Sequence, residues 1–293
     1  MRTKLIILTG ITALMAIACS KESEVKERYS VFYTSFDGSA ETRTYIDESF
    51  KIHWNADDLV SIFQTTSNGK FAFTGKDGDR SGAFEELSVP GEGTEISSIY
   101  AVYPYSSSTT ISDTEELSVE LPSTQAYAEG SFGPGANTMV CRTQDDKLFF
   151  KNLCGFMVIK LYGSGVKVKS VSFKANNGEP IAGKANVTFD SEGNPVSSIA
   201  QGTDEITVVS ENAVTLGSSA SDYTEFWFVV PPATLSGGFT ITVNGANGGK
   251  FEKVSTKERT ITRNDITPMT PLEVVLSGGN QIGDGEEQDG GNY

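Results

Sequence analysis

After residue 20 the chain shows no sustained 3.6-residue apolar period, the pattern an amphipathic helix requires. It carries short β-branched and aromatic runs instead, cut every ten residues or so by Gly, Asn, Asp or Pro. That combination predicts an all-β protein made of sandwiches or barrels.

The stretch 42–63 is representative. Phe50, Ile52 and Trp54 alternate with Lys51, His53 and Asn55, as in a half-buried strand. Residues 55–58 (Asn-Ala-Asp-Asp) supply turn chemistry, and 59–63 form a second apolar run. Upstream, residues 29–36 predict another strand, joined to this one by a polar connector that contains Arg43.

Further strands are expected around 71–73, 99–103 and 117–121, with a hairpin from 139–142 and 148–150. Residues 156–162 are apolar almost throughout, which predicts a strand buried on both faces. The second half adds runs at 166–173, 185–189, 206–209, 214–216, 226–230, 239–243 and 272–276. Tyr100-Ala-Val-Tyr-Pro104 is echoed by Trp227-Phe-Val-Val-Pro231, each a buried strand stopped by proline. The echo suggests two related domains, 29–147 and 148–276; the alternative is one continuous sandwich.

The ends read differently. Arg2 and Lys4 precede an apolar run over 5–18, too short for a bilayer span, which needs about 20 residues. This is an export signal, with cleavage expected between Ala18 and Cys19. A cysteine at that position predicts a bacterial lipoprotein, acylated on Cys19, although Ala16 stands where leucine is usual. An ordinary secretory signal is the alternative. Residues 19–28 are charged and unpatterned, as in a flexible tether. Residues 277–293 are acidic and glycine-rich and predict a disordered tail.

The formal charge is −15, which argues against nucleic acid and anionic membrane surfaces as partners. Two cysteines lie in the body, Cys141 and Cys154. In a hairpin centred on 144–147, Cys141 stands opposite Phe150 and Cys154 lies well beyond. Register therefore favours two buried thiols over a disulfide.

No catalytic constellation emerges. His53 is the one histidine, and no Gly-x-Ser-x-Gly elbow accompanies it. Asp77-Gly-Asp79 begins like a calcium loop, but the glutamate required at its twelfth position is replaced by Ser88. Asp57-Asp58, Glu85-Glu86 and Glu115-Glu116 read as turn residues and solvated faces. Tyr103, Tyr105, Tyr127 and Phe132 cluster in sequence and could form a sugar platform, or belong to the core. The expectation is a protein with no catalysis, no metal and no cofactor.

Several motifs, in this order, resemble the fimbrillin family of Bacteroidetes, the lipoprotein-derived subunits of type V pili. They are Thr42-Arg43-Thr44, Trp54-x-x-Asp57-Asp58, Val60-Ser-Ile62-Phe63 and Tyr100-Ala-Val-Tyr-Pro-Tyr105. Leu121-Pro122-x-x-Gln125, Met139, Leu148-Phe-Phe-Lys151 and Val229-Val-Pro-Pro232 follow. The likeness spans nearly the whole chain after Cys19. It implies two tandem transthyretin-like, Greek-key β-sandwich domains and a place at the cell outer membrane and in a fimbrium. It also implies assembly with other pilus subunits. An arginine-specific protease would cut between Arg43 and Thr44, the strand at 29–36 would leave, and a neighbour's strand would take its slot. The donor would be the segment carrying Leu272, Val274 and Leu276. Adhesive ligands on host or bacterial surfaces, glycans among them, are further expected partners. The alternative function is a glycan-binding surface lipoprotein of a polysaccharide-uptake system.

Overall fold

The computed structural model describes residues 28–35 and 53–278, and these contain strands and no helix. Their sheets stack in a layered β-sandwich architecture, as the missing helical period requires. The largest sheet runs, in spatial order, Lys147–Leu148, Val31–Ser35, Ser81–Ser88, Asn68–Phe73, Leu59–Thr65, Glu95–Tyr103, Met139–Thr143, Lys151–Asn152. It folds over on itself, so that Phe32, Ile62, Phe71, Phe84, Ala101, Met139 and Leu148 from its own strands meet in one core around Trp54. The strand Asn68–Phe73 shows the alternation that makes this possible: Gly69, Phe71 and Phe73 are buried, while Asn68, Lys70 and Ala72 are only half-buried.

Two further layers complete the stack. The other face of Glu95–Tyr103, with Tyr100 and Val102, packs on the sheet Pro195–Thr203, Ala182–Phe189, Leu117–Leu121, Thr110–Ile111. The strand Gly155–Tyr162 sends Phe156 and Val158 into that core, and Met157, Ile159 and Leu161 into a third core beneath the six-stranded sheet. It is thus buried on both faces, as a run apolar at all but Lys160 predicted. Each such side chain contributes about 1.5–3 kcal/mol.

The boundary expected at 147/148 is crossed by the largest sheet, where Met139–Thr143 pairs with Lys151–Asn152, and by two others. Leu117–Leu121 pairs antiparallel with Ala182–Phe189, and Thr124–Ala128 lies parallel to Glu205–Thr215. Gln125 fixes the crossing: its amide donates to the Val229 carbonyl (2.8 Å) and its oxygen accepts from the Val229 N–H (3.0 Å).

Around residue 145 the expected hairpin is only half made. Met139 and Val140 pair with Asn152 and Lys151, the register that would place Cys141 opposite Phe150. Lys147–Leu148 then turns away to pair with Val31–Ser35, because Leu148 and Phe150 are drawn into the first core. The runs at 206–209 and 214–216 are one strand, Glu205–Thr215, whose pairing with Lys167–Ala175 carries a register shift between Val168 and Ser170. Pro195–Thr203 and Lys250–Ser255 were not expected, since polar edge strands leave little apolar pattern.

Cys141 and Cys154 are free, buried thiols. Burial pushes both from an ordinary value of 9.0 up to about 12. Native protein at pH 8 is therefore expected to resist a thiol reagent that labels both cysteines once it is denatured. Above about pH 9 the unfolded thiols ionise while the folded ones keep their protons. The folded state then binds more protons, so stability falls with rising pH through that window. Denaturation midpoints taken at pH 7, 9 and 10 check the sign.

Candidate functional site: the first strand and its slot

Val-Phe-Tyr-Thr at 31–34 has the β-branched and aromatic composition of a strand. It does not lie on an edge. On one side Val31–Ser35 pairs antiparallel with Ser81–Ser88, Phe32 opposite Phe84 and Tyr33 opposite Ala83. On the other it runs parallel to Lys147–Leu148, with the Tyr33 N–H donating to the Asp146 carbonyl at 2.8 Å. The Thr34 hydroxyl donates to the Leu148 carbonyl at 3.2 Å.

One side chain anchors the strand. Phe32 is fully buried, its ring 5.5 Å from that of Phe71 and 5.7 Å from that of Tyr29. Tyr33 points the other way and is 55% exposed. The entry to the strand is clamped separately. The Gln64 amide accepts from the Tyr29 N–H and donates to the Tyr29 carbonyl, both at 2.7 Å, and Arg28 forms an ion pair with Glu86. Glu86 is thus a clasp on the first strand rather than part of a solvated face. Withdrawing the strand would leave two neighbours with unpaired backbone edges and a ring-sized hole in an aromatic core.

Ala18, Cys19, Arg43 and Thr44 lie outside the described residues, as do the expected tether apart from Arg28 and most of the expected tail. The candidate donor is seated in its own chain. Leu272–Glu273 runs parallel to Gly155–Tyr162, the Val274 N–H donates to the Tyr162 carbonyl at 2.8 Å, and Val274 is buried. Leu272 and Leu276 pack against the same third core.

The chemistry-bearing residues serve the turns. The Asp58 carboxylate accepts from the Asn55 N–H (2.8 Å), that of Asp77 from the Ala56 N–H (2.7 Å) and that of Asp79 from the Lys76 N–H (2.7 Å). His53 Nδ1 lies 2.7 Å from the Gly78 carbonyl. Asp58 titrates higher than an ordinary carboxylate because it is largely buried, and it accepts from the Tyr103 hydroxyl at 3.2 Å. Among the described residues no three His, Cys, Asp or Glu side chains are arranged to hold a metal. The aromatic platform is not formed. Tyr103 and Phe132 are buried in different cores, Tyr127 packs on the third, and Lys70 lies over the Tyr105 ring. The Gln64 clamp and the Leu148 pairing had no sequence signal, since each depends on a partner more than 30 residues away.

No protein-family model matches the sequence, and no curated protein matches it. Among solved structures, a candidate cell adhesion protein from Bacteroides ovatus is 11% identical, with 84% of this chain and 93% of that one covered and a TM-score of 0.47. Another from Bacteroides uniformis is 15% identical, covering 83% and 93%, with a TM-score of 0.43. A fimbrial protein from Bacteroides ovatus is 9% identical, covering 87% of this chain and 55% of that one, with a TM-score of 0.30. At these identities and scores the likeness assigns neither a family nor a function.

Proposed function

We propose that the chain is a structural, adhesive subunit of a cell-surface fimbria, assembled by strand replacement. In this reading it is acylated on Cys19, held at the outer membrane, and matured by cleavage between Arg43 and Thr44. The observation that carries the reading is the seat of the first strand. Five residues with one fully buried ring, Phe32, fill a slot between two other strands, and residues 36–52 with Arg43 connect them to the rest. The motif resemblance supplies the protease and the donor.

The energetics favour exchange over simple loss. A strand leaving for water strands the edges of Ser81–Ser88 and Lys147–Leu148 and exposes the core. A strand donated by a second subunit restores the backbone bonds and refills the hole, so the change in free energy is set by side-chain fit. While residues 36–52 remain intact, the resident strand competes at the high effective concentration of a tethered segment. Cleavage removes that advantage. The donor must first give up its own short pairing, two register positions against Gly155–Tyr162.

The test uses non-lipidated protein from Ser20 onward, treated with an arginine-specific protease and run unboiled on a denaturing gel beside Arg43→Ala. A ladder in the wild type and none in the variant is expected. Wild-type protein fully cut at Arg43 that stays monomeric would overturn the reading.

A further inference from the structure

A second cleft, far in sequence from the first strand, lies at the seam between the largest sheet and the sheet carrying Ala182–Phe189. Its volume is about 450 Å³, within the range of small-molecule sites. Tyr100 and Arg142 reach it from paired strands, Thr188 and Phe189 from the end of a third, and Asp113 to Glu115 from the turn before Leu117–Leu121. Four separate segments thus converge on one hollow.

Its wall is polar and carries both signs. The Arg142 guanidinium lies over the Phe189 ring, 5.2 Å from the centroid. It is exposed and makes no ion pair or hydrogen bond among the described residues, so its fork of donors is unspent. Asp113 is likewise exposed and without a hydrogen bond among the described residues. Glu115 differs. Its carboxylate accepts from the Ser97 N–H, the Ser97 hydroxyl (2.9 Å) and the Tyr100 hydroxyl (2.7 Å). Those bonds fix the turn that presents Asp113. A donor fork and an acceptor pair therefore face one cavity without closing on each other.

We propose that this cleft binds a neutral saccharide, with Arg142 donating to, and Asp113 accepting from, neighbouring hydroxyls. The alternatives fit less well. An anion would meet Asp113 and a chain of net charge −15, a cation would meet Arg142, and an apolar ligand would strand both charges. A hydroxyl-rich, uncharged ligand satisfies donors and acceptors together. Phe189, already capped by the guanidinium, holds that group in place. The site needs neither cleavage nor assembly, so it stands or falls apart from strand replacement.

The test is saturation-transfer NMR on intact, uncleaved protein with galactose, mannose, N-acetylglucosamine and lactose, with glucuronate and sialyllactose as anionic comparisons. At least one neutral sugar is expected to bind, with a dissociation constant on the order of 1 mM. Arg142→Ala and Asp113→Asn should each weaken that binding about tenfold or more while leaving a folded, cooperatively unfolding protein, with Arg142→Ala also losing its contact on Phe189. Either substitution lies on an exposed side chain, so folding is not at risk. No transfer to any neutral sugar, binding of the anionic sugars alone, or binding indifferent to both substitutions would overturn the proposal.

Discussion

Trp54→Ala is expected to cost about 3–5 kcal/mol of folding stability, a large share of the 5–15 kcal/mol typical of a domain. Trp54 is fully buried and sits among four rings: Phe84 at 5.1 Å, Tyr103 and Phe150 at 5.5 Å, and Phe73 at 5.8 Å. The three edge-on pairs, with Phe84, Tyr103 and Phe150, each add about 0.5–1.5 kcal/mol beyond area burial. Trp54 makes an isolated bridge to Asp79, donating its N–H to the Asp79 carbonyl (2.8 Å) and accepting from the Gly78 N–H (2.9 Å). Turn hydrogen bonds fix residues 55–58, and packing around the ring seats the indole itself. Urea denaturation followed by far-UV circular dichroism measures the loss, and a cost below about 1 kcal/mol would contradict this packing.

Phe32→Ala is expected to produce a loss of similar size in the intact chain, about 3–5 kcal/mol, by emptying the ring-sized hole that Phe71 and Phe84 border. Its effect after cleavage should run opposite to that of Trp54→Ala. Phe32 belongs to the departing strand, so truncating it weakens the occupant and leaves the slot intact for a donor. Cleaved Phe32→Ala protein should therefore form oligomers faster than cleaved wild type. Trp54 belongs to the slot itself, so cleaved Trp54→Ala protein should form them poorly or aggregate. Time courses on unboiled gels distinguish the two directions.

Much of this was legible in the residues. The Asn55–Asp58 turn, the strand after it and the one-faced run at Leu117, Val119 and Leu121 follow from local composition, and each is where composition put it. The doubly buried strand followed from a run apolar at every position but Lys160, since a solvated face would have required polar residues at alternate positions. What composition cannot carry is partner choice. Nothing in Leu117–Leu121 says that it pairs with Ala182–Phe189, over 60 residues on, or that Thr124–Ala128 lies beside Glu205–Thr215. Those pairings join the two halves more closely than two beads on a string. Of the two readings of the aromatic cluster at 103–132, Tyr103 and Phe132 take the core one: sequence proximity does not place rings on one face, and these two lie in separate cores. The cleft of Arg142 had no sequence signature, because its walls come from four segments and only the fold assembles them.

Strand replacement can be tested most directly by locking the first strand in its slot. Tyr33 and Ala83 are opposite each other at a position where the paired backbones do not exchange hydrogen bonds, the closer of the two antiparallel spacings. The paired substitutions Tyr33→Cys and Ala83→Cys should thus allow a disulfide, and the native thiols at Cys141 and Cys154 are buried and will not compete. Oxidised protein cut at Arg43 should remain monomeric, and adding reductant should release the ladder of oligomers. A ladder that forms equally well while the strand is locked would show that assembly does not use this slot, and strand replacement at Val31–Ser35 would have to be abandoned.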